Sequence, residues 1–124
     1  MAKTVLVVED NDLNLRLFCD LLAAHGYAAE GERDARAVMV RALELRPDLI
    51  VMDIRMPHIT GIELTDAIRQ DAELAATPIM AVTAFAGADD EARIRAAGAN
   101  DYVTKPVTLG RFIASVEGLI GKAA

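Results

Sequence analysis

Short apolar runs alternate with helical patterns from one end of this chain to the other. Val5-Leu6-Val7-Val8 and Leu49-Ile50-Val51-Met52 are continuously apolar, as expected of strands buried on both faces. The pattern predicts strands near 4–8, 27–30, 48–53, 78–83 and 100–104. The second, Tyr27-Ala28-Ala29-Glu30, is the least apolar and suits an edge.

Between the strands the period changes. Leu13, Leu17, Phe18, Leu21 and Leu22 recur at helical spacing, and Gly26 supplies a left-handed stop. Asp34 is placed to cap a helix whose buried stripe is Ala35, Val38, Ala42 and Leu45, and Pro47 keeps that helix from continuing. A third helix follows Gly61 with Leu64 and Ile68 inward. Asp89, Asp90 and Glu91 occupy the first turn of a fourth, where the helix dipole favours anions, and Gly98 ends it. Thr108 caps the last, with Leu109, Phe112, Ile113, Val116, Leu119 and Ile120 as its stripe. Strict alternation of strand and helix implies a parallel, doubly wound α/β sheet with helices on both faces and right-handed crossovers. No linker or repeat interrupts it, so residues 1–124 read as one domain.

In such sheets ligands bind beyond the carboxyl ends of the strands. Here those ends carry Glu9-Asp10, Asp53, Thr83 and Lys105-Pro106. Three neighbouring acids cannot all ionise cheaply without a counterion. Oxygen ligands suit Mg2+, and the lack of paired His or Cys argues against zinc. Asp53 has the chemistry of a phosphoryl-accepting nucleophile. Phosphoryl transfer needs mainly positioning and charge neutralisation, which Lys105, the Thr83 hydroxyl and the Ala84 amide would supply. An X-Pro bond can be cis at modest cost, so Lys105–Pro106 is a candidate cis peptide.

The bulk composition narrows the field. A net charge of −6 with no basic cluster argues against nucleic acid as the main partner. No apolar run approaches the roughly 18 residues of a membrane span. The first strand starts too early to leave room for a signal peptide. A single cysteine, Cys19, excludes a disulfide framework, and the chain reads as cytoplasmic.

Val7-Val8-Glu9-Asp10-Asn11, Met52-Asp53-Ile54-Arg55-Met56-Pro57 with Gly61, Thr83-Ala84 and Lys105-Pro106 stand in order at strand ends. Together they resemble a response-regulator receiver domain over essentially the whole length. The stretch Glu9-Asp10-Asn11-Asp12-Leu13-Asn14 looks most like stand-alone, single-domain regulators of the DivK type. The resemblance implies a five-stranded sheet of order 2-1-3-4-5 flanked by five helices. It implies that Asp53 is the phosphoacceptor. Asp10, Asp53 and the Arg55 carbonyl would bind Mg2+, with Glu9 acting through water, and Thr83 and Lys105 would contact the phosphoryl group. The donor would be a phosphohistidine of a histidine kinase or histidine phosphotransferase. Output would go to other regulators or kinases through the face formed by the fourth helix, fifth strand and fifth helix, from a monomer or weak dimer. Thr83 and Tyr102 would form the switch, Tyr102 turning inward as Thr83 moves. Arg55 and Phe85 would flank the phosphoryl group and tune its loss.

Two other classes compete. A hydrolase with an aspartate nucleophile usually has a second acid two residues on, where this chain has Arg55. A flavin or nucleotide binder needs a Gly-, Ser- or Thr-rich loop after the first strand, where this chain has Glu9-Asp10-Asn11-Asp12. Cys19 reads as an inert thiol and His25 as a helix-end charge. His58 reads as a solvated loop residue, and Met39, Met52, Met56 and Met80 as packing.

Overall fold

Five strands, β1 (Thr4–Val8), β2 (Ala28–Glu32), β3 (Leu49–Asp53), β4 (Ile79–Thr83) and β5 (Asp101–Thr104), alternate with five helices. The helices are α1 (Asp12–Ala24), α2 (Val38–Leu45), α3 (Gly61–Gln70), α4 (Ala88–Ala97) and α5 (Leu109–Ile120). A computed structural model describes residues 2–84 and 87–122. The strands form one parallel sheet in the order β2-β1-β3-β4-β5, as expected.

Because successive strand residues point to opposite faces, β1, β3, β4 and β5 each feed two cores. Leu6, Val8, Ile50, Met52, Ile79 and Ala81 pack with Val38, Ala42, Leu64, Ile68 and Ile94 of α2, α3 and α4. Val5, Val7, Leu49, Val51, Met80 and Val82 pack with Phe18, Leu22, Phe112 and Val116 of α1 and α5. The Phe18 and Phe112 rings stack with centroids 4.8 Å apart and tie α1 to α5. Met52, Met56 and Met80 are buried and Met39 partly so, as packing residues.

The structure departs from the pattern in four places. β2 runs from Ala28 to Glu32 rather than over 27–30. Tyr27 is buried beside the α1–α5 core, and its hydroxyl donates to the Gly121 carbonyl at 2.6 Å. On α1 the inward stripe is Phe18 and Leu22 with Leu15 and Cys19 beside them, while Leu13 and Leu17 are 75% and 44% exposed. Leu13 and Leu17 belong to a second stripe, one residue out of phase with Leu22, that lies beyond the sheet contact. Leu109, in the first turn of α5, is likewise 52% exposed. Asp34 caps a short 3-10 turn, Ala35–Ala37, that leads into α2. α2 stops at Arg46, whose φ of 46° precedes Pro47, because the residue before proline is driven out of the helical region.

The loop that brings α3 under the sheet edge has its own cap. Thr60 accepts from the Glu63 amide at 3.1 Å and the Glu63 carboxylate accepts from the Thr60 amide at 3.2 Å. Gly61, the first residue of α3, seats against β3. An added Cβ would lie 2.5 Å from the Asp53 carbonyl oxygen and 2.6 Å from Ile54 Cα. No side chain larger than hydrogen fits there without moving the backbone that carries Asp53.

Candidate functional site

The register of the sheet decides which strand ends meet. Val8 pairs with Met52, Asp53 with Val82, and Thr83 with Thr104. Glu9 follows β1, Asp53 and Thr83 end β3 and β4, and Lys105 follows β5, so all four share one edge. The Lys105 amide donates to the Thr83 carbonyl at 2.7 Å, which fixes the end of β5 against β4. The Lys105–Pro106 peptide is cis, as the sequence allowed.

Glu9, Asp10 and Asp53 each bring a carboxylate oxygen within 4.8 Å of the others. Glu9 and Asp53 are 1% and 3% exposed. Lys105 Nζ stands 3.4 Å from Glu9 Oε2 and 3.4 Å from Asp53 Oδ2, bridging the two at the long end of hydrogen-bond range. The remaining oxygens are held by backbone. The Asn11 amide donates to Glu9 Oε1 at 3.3 Å and the Arg55 amide to Asp53 Oδ1 at 3.0 Å. The Asn11 side chain also caps α1 by accepting from the Asn14 amide at 3.0 Å.

Three carboxylates against one ammonium leave two negative charges in a largely buried cluster. Burial raises the Glu9 carboxyl to about 7, with the Asp53 hydrogen bond and charge adding to the rise and Lys105 opposing it. That is the response of an acid cluster short of positive charge. The donor set is all oxygen, with no His or Cys, so a hard divalent cation such as Mg2+ fits it.

Thr83 is fully buried, and Ala84 beside it is exposed. Arg55 is exposed and lines a groove of about 920 Å3 together with Asp10, Ile54, Met56, Asp90 and Arg93. Phe85 lies outside the described residues. Tyr102 is 8% exposed and already packed in the core with Ile94 of α4, so its hydroxyl is pushed up by burial and by Glu91 and Asp90. His58 is exposed, with a φ of 72°. Half-buried Cys19 has its thiol raised by burial, and His25 Nδ1 sits 3.0 Å from the Leu21 carbonyl at the end of α1. The pattern reading missed Thr60, which the spacing Thr60-x-x-Glu63 betrays, and the second role of Asn11 as helix cap.

Residues 5–117 match the response regulator receiver domain family. This chain belongs to that family. Over 123 residues it is 45% identical to the polar-differentiation response regulator DivK of Brucella anthropi, covering 99% of this chain and all of the relative. It is 44% identical to DivK of Brucella ovis over the same span. Among solved structures, the receiver domain of a sensor histidine kinase from Pseudomonas aeruginosa superposes with a TM-score of 0.89 at 31% identity. It covers 98% of this chain and all of its own, and carries a magnesium ion in the active site cleft. The chemotaxis response regulator CheY4 of Vibrio cholerae gives a TM-score of 0.91 at 26% identity, covering 96% of this chain and 99% of its own. Receiver domains are signalling switches of two-component systems, and no described helix here is long and apolar enough to cross a membrane.

Proposed function

We propose that this chain is a phosphorylation switch that takes a phosphoryl group from a phosphohistidine of a histidine kinase or histidine phosphotransferase onto Asp53. The observation that carries this is the Lys105 ammonium set between the buried carboxylates of Glu9 and Asp53, beside Asp10. An Asp53 carboxylate oxygen attacks phosphorus, the phosphorus–nitrogen bond of the donor breaks, and the imidazole leaves with the bonding electrons and takes a proton from solvent. Asp10, Asp53 and the Arg55 carbonyl would hold Mg2+, with Glu9 acting through water; bound there, the cation neutralises the incoming phosphoryl oxygens. Lys105 neutralises phosphoryl charge from its own side. The Thr83 hydroxyl and the Ala84 amide donate to another phosphoryl oxygen.

Readout follows from where Thr83 sits. It ends β4, and four residues later Gly87 opens α4, so a pull on Thr83 reaches the α4–β5–α5 face. That face would present the signal to kinases, phosphotransferases or other regulators. Thr83 and Tyr102 form the switch, Tyr102 answering from beneath α4 as Thr83 moves. Arg55 flanks the phosphoryl group and governs how fast water removes it.

The test is incubation of wild type and Asp53→Asn with Mg2+ and a small phosphodonor, read by intact mass. Wild type gains one phosphoryl group and the variant gains none. Equal uptake by both would remove Asp53 from the mechanism. Sustained multiple-turnover release of phosphate from small esters would favour a hydrolase instead.

A further inference from the structure

Arg69, at the C-terminal end of α3, spends all its N–H donors on other segments. Nε donates to the Gly98 carbonyl at 3.0 Å and Nη2 to the same oxygen at 2.8 Å. Nη2 also donates to Asn100 Oδ1 at 2.7 Å. Nη1 donates to the carbonyls of Thr77 at 2.6 Å and Ala75 at 3.1 Å. Asn100 extends the clamp into the sheet. Its Oδ1 accepts from the Ile79 amide at 2.9 Å, and its own amide donates to the Ile79 carbonyl at 2.8 Å. The guanidinium thus joins the end of α3, the start of β4 and the end of α4.

The fit at α4 is close. Gly98 has a φ of 124°, and a Cβ there would lie 2.6 Å from Arg69 Cγ and 2.9 Å from Nε. Arg95, in the last turn of α4, adds an ion pair to Asp101 at 3.7 Å. The other end of α4 is held differently. Gly87 caps it without a side-chain hydrogen bond, and Ile94 is the only residue the helix buries. The groove between α3 and α4 runs along it, lined by Ile54, Met56, Ile62, Asp90, Arg93 and Ile94. One end of α4 is bolted to the frame; the other borders open volume and begins five residues after Thr83.

We propose that the Arg69 clamp on Gly98 and Asn100 is the pivot of α4, so that occupation of the phosphoacceptor site tilts α4 about its C-terminal end instead of shifting or fraying it. This rests on the phosphoacceptor reading above. Arg69 is a positioning residue in that scheme, since it touches neither the carboxylates nor Thr83.

Amide hydrogen exchange of the full chain with Mg2+, with and without beryllofluoride as phosphoryl analogue, tests it in wild type, Arg69→Ala and Arg69→Lys. In wild type the analogue changes exchange in the first turns of α4 and moves the Gly98 to Asn100 amides by less than about twofold. In Arg69→Ala, analogue uptake stays near wild type, but the analogue-induced change spreads through Gly98 and Asn100 and exceeds about tenfold there. Arg69→Lys, which keeps the charge without the planar fork, falls between them and serves alone if Arg69→Ala does not fold. Variants whose analogue-induced pattern matches wild type would overturn the pivot and leave the phosphoacceptor reading standing. A wild type that takes up no beryllofluoride would overturn both.

Discussion

The two edges of the sheet are built from similar polar residues and treat them in opposite ways. At the amino edge two matched pairs close the starts of β1 and β4 against the residues that lead into β3 and β5. The Thr4 amide donates to Asp48 Oδ2 at 2.8 Å and the Asp48 amide returns a bond to the Thr4 carbonyl at 2.8 Å. Asn100 and Ile79 exchange bonds at 2.8 and 2.9 Å, and Arg69 fills what is left. At the carboxyl edge three acids cluster around one lysine, which reaches only Glu9 and Asp53, each at 3.4 Å. The amino edge is satisfied and stabilises the fold. The carboxyl edge is left short of positive charge, and that deficit suits it to a divalent cation. The same comparison separates a substitution that costs stability from one that costs chemistry.

The largest effect is expected where the deficit would be widened. Lys105→Met removes the ammonium between Glu9 and Asp53, and the phosphorylation rate should fall by roughly 100-fold or more, the size of losing one preorganised charge at a reacting centre. Mg2+ affinity should hold or rise, because the cation then has no competitor. A rate within a fewfold of wild type, measured by mass against time, would mean that the Lys105 bridge is only structural.

The pH dependence sharpens the comparison. Glu9 is raised from 4.5 to about 7 in the folded protein, so between those values the folded state binds more protons than the unfolded one. Stability from this group is complete below pH 4.5 and is lost as pH rises through about 7. Metal-free protein should therefore melt lower at pH 8 than at pH 5, by on the order of 2 kcal/mol from this site. Glu9→Gln should flatten that slope. Mg2+ should raise the melting temperature more at pH 8 than at pH 5, because it binds the deprotonated carboxylates. A melting curve that rises from pH 5 to 8 in metal-free protein would contradict the charge deficit.

The amino edge should answer in stability and not in metal binding. Asn100→Ala strands the Ile79 amide and one Arg69 donor at a partly solvated position, a loss of roughly 1–2 kcal/mol by denaturant melting. Its Mg2+ affinity should match wild type. A joint loss of stability and Mg2+ affinity would mean that the two edges are energetically coupled.

How much of this the sequence discloses depends on which partner a residue uses. Val5–Val8 and Leu49–Met52 are legible as strands buried on both faces because burial on both faces demands uninterrupted apolar residues. Glu9, Asp10, Asp53 and Lys105 are legible as a set because parallel strands bring their carboxyl ends together whatever the details of packing. β2 was placed early because an edge strand with one paired neighbour needs little apolar sequence, so Gly31 and Glu32 gave no signal. Leu13, Leu17 and Leu109 misled because helical spacing alone does not say which of two adjacent stripes meets the sheet. Arg69 was invisible for a different reason. Its partners are four main-chain carbonyl bonds and one amide side chain, and carbonyls are present at every position of every sequence.

The smallest effect lies between the two edges, at the Thr60 cap. Thr60 and Glu63 exchange hydrogen bonds at the start of α3, directly after the loop that carries the Arg55 amide to Asp53 Oδ1. Thr60→Ala removes one side-chain acceptor from an exposed helix start, which costs about 1 kcal/mol. Gly61 stays wedged against the Asp53 carbonyl, and its amide still donates to the Ile54 carbonyl at 2.9 Å, so the loop keeps its anchor. The expected outcome is a modest drop in melting temperature with Mg2+ affinity and phosphorylation rate unchanged. A tenfold loss of Mg2+ affinity in this variant would show that the cap, and not the Gly61 wedge, sets the position of the Arg55 carbonyl. The boundary between the stabilising part of the molecule and the reactive part would then lie inside α3 instead of at its first residue.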